Sequence, residues 1–145
     1  MAEKETMNLG AVREKLAKAV RLQYRSVLQY TLTAGSIVGI EYQGLGDRLW
    51  LFAEAEIEDT RRLVEKLAAL EGEPPVRAPD LRHDAEPRKA LEWLLESETE
   101  AIESLQDVIP DTGNDGPSEA LEHLLEHLIL RKQNQVDFLT RSLRA

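Results

Sequence analysis

The feature that most constrains this 145-residue chain is a set of four long amphipathic stretches, each broken near its middle by polar residues. Apolar residues recur every three or four positions, which is the spacing of one buried face of an α-helix. The first stretch, from about Asn8 to Val38, carries Leu9, Val12, Leu16, Ala19, Gln23, Val27, Tyr30, Ala34 and Ile37. The second, from about Asp47 to Glu71, carries Leu49, Phe52, Glu56, Asp59, Leu63, Leu67 and Leu70. The third, from about Glu86 to Ile109, carries Leu91, Leu94, Glu98, Ile102, Leu105 and Val108. The fourth, from about Ser118 to Leu143, carries Leu121, Leu125, Leu128, Lys132, Gln135, Leu139 and Ser142. Asn8 and Gly39 suit the two ends of the first helix, and Pro117 suits the first turn of the fourth.

Between the second and third stretches lies GEPPVRAPDLRHDAEP, residues 72–87, whose prolines break any helix. Extended at about 3.3 Å per residue it spans about 50 Å, the length of a helical bundle. It is therefore expected to be a crossover that leaves the second and third helices parallel, an up-down-down-up arrangement. An interdomain linker is the alternative, but too little chain lies on either side for two cores. The expectation is an all-α four-helix bundle in one domain over residues 1–145, with residues 1–7 as a flexible tail.

The composition narrows the function. The net charge of −9 opposes nucleic-acid binding, which needs clustered Lys and Arg. Cysteine is absent, which removes disulfides, thiolate metal sites and cysteine nucleophiles. No apolar run approaches the ~20 residues that span a bilayer, and the charged N-terminus lacks a signal-peptide segment. A cytoplasmic protein without membrane or nucleic-acid partners is expected.

The polar interruptions are Gln23, Glu56, Asp59, Glu98, Lys132 and Gln135. If the helices pack side by side, these residues meet at one depth. The alternative is that the stripes are misphased and the six face water. Shifting the phase, however, would expose Leu63, Leu67 and Phe52, or Leu121 and Leu128. Three carboxylates against one ammonium leave a charge of −2, which is costly in a dry layer. A protonated carboxyl, water or a residual cation would relieve it.

Inward carboxylates on four helices are how ferritin-like bundles build dinuclear metal sites. Here the chain resembles bacterioferritin, through QYRSVLQY at Gln23–Tyr30, DTRRLVEKLAALEGEP at Asp59–Pro74 and QVDFL at Gln135–Leu139. The resemblance implies a ferritin-like bundle with a long crossover. It places a family Glu at Gln23, a Glu and a His at Glu56 and Asp59, a Glu at Glu98, and a Glu and a His at Lys132 and Gln135. Only Glu56 and Glu98 match, so the dinuclear iron centre is expected to be largely replaced by a buried Glu/Asp/Lys/Gln network. The family's haem-ligating Met falls on Ile57, so no haem is expected. A non-catalytic structural or binding member of the family is the first expectation, with no cofactor. The alternative is an iron-storage protein or metal-dependent oxidase that holds iron or another divalent metal on Glu56, Asp59 and Glu98.

Three further features stand outside the stripes. His123, Glu126 and His127 read H-x-x-E-H, two imidazoles one helical turn apart that form either a solvated surface or a surface metal site. His83 falls in the crossover and is expected to be solvated. Trp50 and Leu51, with Tyr24 and Leu28, suggest a subunit contact, and a homo-oligomer (a dimer or a larger shell) is expected. A helical adaptor using that face for another protein is the remaining alternative.

Overall fold

The computed structural model describes residues 4–144. It is an all-α bundle of α1 (Leu9–Ser36), α2 (Gln43–Ala69), α3 (Pro87–Gln106) and α4 (Gly116–Leu143), with single 3-10 turns at Ile40–Tyr42 and Ile109–Asp111. Local chemistry sets most of the boundaries. Asn8 caps α1, its Oδ1 accepting from the Ala11 amide at 3.3 Å. Glu86 caps α3, accepting from the Arg88 and Lys89 amides at 3.1 and 2.9 Å, with Pro87 in the first turn. Asp115 caps α4 by accepting from the Ser118 amide at 3.0 Å, with Pro117 in the first turn as expected.

Three boundaries differ from the expectation. Helix α1 stops at Ser36, and Gly39, at φ 109°, turns the chain. Helix α2 begins at Gln43 rather than Asp47, so Gly44 and Gly46 lie inside it. Gly46 is buried there, and a Cβ on it would meet the Ala34 carbonyl of α1 at 3.5 Å, an ordinary contact, so α2 packs on α1 without requiring glycine at this position. Helix α3 ends at Gln106, and the 3-10 turn at Ile109–Asp111 follows two residues later.

The foot of α2 closes in a Schellman motif. The Gly72 amide donates to the Leu67 carbonyl and the Glu71 amide to the Ala68 carbonyl, both at 2.9 Å. The left-handed position is held by Glu71, at φ 61°, rather than by the neighbouring glycine. Gly72 is needed for space, because a Cβ there would come within 2.3 Å of Leu67 Cδ1.

Helix α1 lies beside α2 and α3, and α4 beside α3 and α2, in the expected up-down-down-up order. The segment between Ala69 and Pro87 climbs the outside of α1. The Tyr24 hydroxyl donates to the Pro75 carbonyl at 2.9 Å, and the Arg82 amide donates to Gln29 Oε1 at 2.6 Å. His83, expected in solvent, is half-buried, with its ring nitrogens 3.4 Å from Thr33 Oγ1 and 3.5 Å from Ser36 Oγ. The expected N-terminal tail is tied down where it is described. Glu5 donates to Asn114 Oδ1 and accepts from the Asn114 amide at 2.8 Å. Residues 1–3 of that tail lie outside the described residues.

The interior is two apolar clusters. One gathers Leu16, Leu63, Leu67, Leu105, Leu121 and Leu125 at the α2 foot. The other gathers Tyr30, Leu49, Phe52, Leu91, Leu94 and Leu139 at the opposite end. Between them lies a layer of polar side chains.

Candidate functional site

Each helix presents polar residues to this layer because they occupy stripe positions, and the leucines on either side hold those positions inward. All six residues expected from the sequence are buried: Gln23, Glu56, Asp59, Glu98, Lys132 and Gln135. Lys132 is the centre. It is 0% exposed, and its Nζ donates to Glu56 Oε1 and Oε2 at 2.9 and 2.8 Å and to Glu98 Oε1 at 3.0 Å. The ammonium thus sits between the two carboxylates.

The amides complete the acceptors. Gln135 Nε2 lies 2.8 Å from Glu56 Oε1, 3.1 Å from Glu98 Oε2 and 3.2 Å from the Tyr30 hydroxyl. Gln23 Nε2 donates to Glu56 Oε2 at 2.6 Å, while its Oε1 has no hydrogen-bond partner among the described residues. The Ser26 hydroxyl donates to Glu98 Oε1 at 2.8 Å.

Asp59 pairs with Arg131, whose guanidinium also reaches Gln135. Arg131 NH2 lies 3.3 Å from Glu56 Oε1. This arginine is the member that the stripes did not reveal. It sits one position off the α4 stripe and is only partly buried. The excess negative charge was the available signal. With Arg131 the layer holds two cations against three carboxylates, a net −1 rather than −2.

Electrostatics divide the two central acids. Burial pushes both carboxyls upward. At Glu56 the positive charges of Lys132 and Arg131 overcome burial and hold the carboxyl down, at about 2. At Glu98 burial and the adjacent Glu56 charge prevail over Lys132 and raise it to about 7. Glu98 is thus the acid of the central pair that takes up a proton more readily. Burial opposes the charge on Lys132, but Glu56 and Glu98 raise its affinity for its proton. Burial also raises Asp59, partly offset by Arg131.

His123, Glu126 and His127 are exposed on α4, away from this layer. Among the described residues, no group of three or more His, Cys, Asp or Glu side chains is arranged to hold a metal ion. No helix of the described residues is long and apolar enough to cross a membrane.

A four-helix bundle with a crossover and a central acid layer defines the ferritin-like class, and comparison agrees. The family model for the ferritin-like domain matches residues 13–145, and the chain belongs to that family. A search of curated protein sequences returns no match. A solved structure described as ferritin-like, diiron-carboxylate proteins from Bacillus anthracis str. Ames is 22% identical, with a TM-score of 0.84 over 97% of this chain and 100% of that one. Two structures of Mycobacterium tuberculosis bacterioferritin, BfrA, are 18% and 19% identical, with TM-scores of 0.80 and 0.82. Both cover 91% of this chain, and 82% and 83% of their own. At these identities the likeness concerns the fold.

Proposed function

We propose that this chain is a non-catalytic, structural or binding member of the ferritin-like family, in which an internal ion network replaces the dinuclear metal centre. The observation that carries the reading is the Lys132 ammonium, within 3.0 Å of both Glu56 and Glu98 and sealed from solvent. Metal ions held by those carboxylates would need the space that Nζ takes, and would meet its positive charge. The remaining donors fit no better. Asp59 is engaged by Arg131, Gln23 turns its amide nitrogen toward Glu56, and among the described residues no imidazole hydrogen-bonds into the layer. The residues present do not fit a dinuclear iron site. Ile57 is half-exposed on α2, where no methionine is available to ligate haem.

The scaffold function is proposed to act through assembly. Leu28, Trp50, Leu51 and Ile57 are 46%, 43%, 58% and 56% exposed, and they spread over neighbouring parts of α1 and α2. A homodimer, alone or within a larger shell, would cover them.

Metal analysis of protein purified without chelator tests the reading. The expected result is far less than one iron per chain and no oxygen uptake when ferrous iron is added. About two irons per chain with oxygen consumption would refute it and favour an oxidase built on Glu56, Asp59 and Glu98. Sedimentation of the Leu51→Glu and Ile57→Glu variants tests assembly, with dissociation to monomers as the expected result.

A further inference from the structure

The imidazole nitrogens missing from the interior are present on the outer side of α4. Helix α4 is continuous over Gly116–Leu143, so His123 and His127 stand one turn apart on the same face. Both are exposed, and the buried stripe of Leu121, Leu125, Leu128 and Lys132 lies on the other side of the helix. Their Cβ atoms are about 5–6 Å apart, a separation at which two rings can converge on one ion at about 2.0–2.1 Å. Two of the chain's three histidines are spent here. The third, His83, is held against Thr33 and Ser36 on α1.

The surroundings favour a cation. Glu119 precedes His123 by one turn and Glu126 sits beside His127, and both are exposed. Among the described residues, no salt bridge joins either histidine or either of these acids to another side chain. Lys132, by contrast, is internal and consumed by Glu56 and Glu98.

We propose that His123 and His127 chelate one borderline divalent ion of the zinc, nickel or copper class on the surface of α4. Two neutral imidazoles favour these ions over ferrous iron or magnesium, which prefer oxygen-rich sites. Among the described residues no third His, Cys, Asp or Glu converges with the pair, so water fills the other positions and binding is reversible. The site is separate from the internal layer, and its metal is bound at the surface rather than used in place of Lys132.

Titration of Zn2+ into chelator-treated full-length protein, followed by calorimetry, tests this. Saturable binding of about one zinc per chain is expected. His123→Ala and His127→Ala should each weaken it by about tenfold or more, and the double variant should abolish it. His83→Ala should bind as the wild type does. Because both positions are exposed, the variants should keep the parent's helical circular dichroism and melting temperature. Absent zinc binding, or binding unchanged in the double variant, would overturn the proposal. Neither outcome bears on iron or oxygen uptake, so the two proposals fail separately.

Discussion

Replacing Lys132 with methionine removes the ammonium while keeping most of the side chain's length. Glu56 loses contacts at 2.9 and 2.8 Å and Glu98 one at 3.0 Å. At an effective dielectric of about 20, a unit pair at about 3 Å attracts by roughly 5 kcal/mol, and desolvation offsets much of that. Removing one partner of a buried pair leaves the penalty without the attraction, and the usual cost is about 3–5 kcal/mol. Arg131 still faces Glu56, so the lower half of that range is expected. At about 2–4 °C per kcal/mol for a domain near this size, the melting temperature should fall by about 10 °C. Urea unfolding followed by circular dichroism at pH 8, at fixed protein concentration, reads the effect directly. At pH 5.5 the loss should shrink, because Glu98 then holds its proton. The double variant Lys132→Met/Glu98→Gln should recover part of it at pH 8, since an amide replaces the stranded carboxylate. A Lys132→Met protein within about 1 kcal/mol of the parent at pH 8 would refute the buried ammonium as the keystone of the layer.

Glu98→Gln tests the proton on its own. A carboxyl raised from 4.5 to about 7 in the folded state binds more protons there than in the unfolded chain, so stability falls as pH rises through that interval. The parent should lose up to about 3 kcal/mol between those limits, and Glu98→Gln should flatten the slope, as urea midpoints across the range would show. Glu56 has the opposite sign. Its lowered carboxyl should cost the fold stability only as pH falls below 4.5 toward 2. Glu71→Gly should stabilise the chain by about 1 kcal/mol, visible as a rise of roughly 2–4 °C in melting temperature. Its left-handed backbone at φ 61° favours glycine, and its exposed contact with Arg13 at 3.8 Å has little to lose.

The α2, α3 and α4 stripes were legible because their buried positions follow a single period. Leu49, Phe52, Leu63 and Leu67, and likewise Leu121, Leu125 and Leu128, lie where spacing puts them. Helix α1 was only half legible. Beside the expected Gln23 and Tyr30 it buries Arg25, Ser26, Gln29 and Thr33, while Val27 is only half-buried. Polar residues on a helix ordinarily mark the wet face. Here the crossover and α3 cover them, with Gln29 joining the Arg82 amide to Ser97 and Arg25 meeting Glu100 at 2.7 Å. A local period cannot anticipate cover that arrives from fifty residues away in sequence. Arg131 escaped for a related reason, since a long side chain can reach the layer from an off-stripe backbone position. Helix α2 also starts four residues ahead of the expected Asp47, at Gln43, and takes in Gly44 and Gly46.

A polar plate between two oily halves also sets how the helices can slip past one another. Leucines at similar spacing on α2 and α4 would tolerate a shift of one turn, because each apolar layer would meet another. With the plate present, that shift would seat Leu63 or Leu128 against Glu98 and strand Lys132 among hydrocarbon. One alignment of the four rods therefore seats Lys132 between Glu56 and Glu98. The ion network of the plate would then serve as the bundle's registration mark.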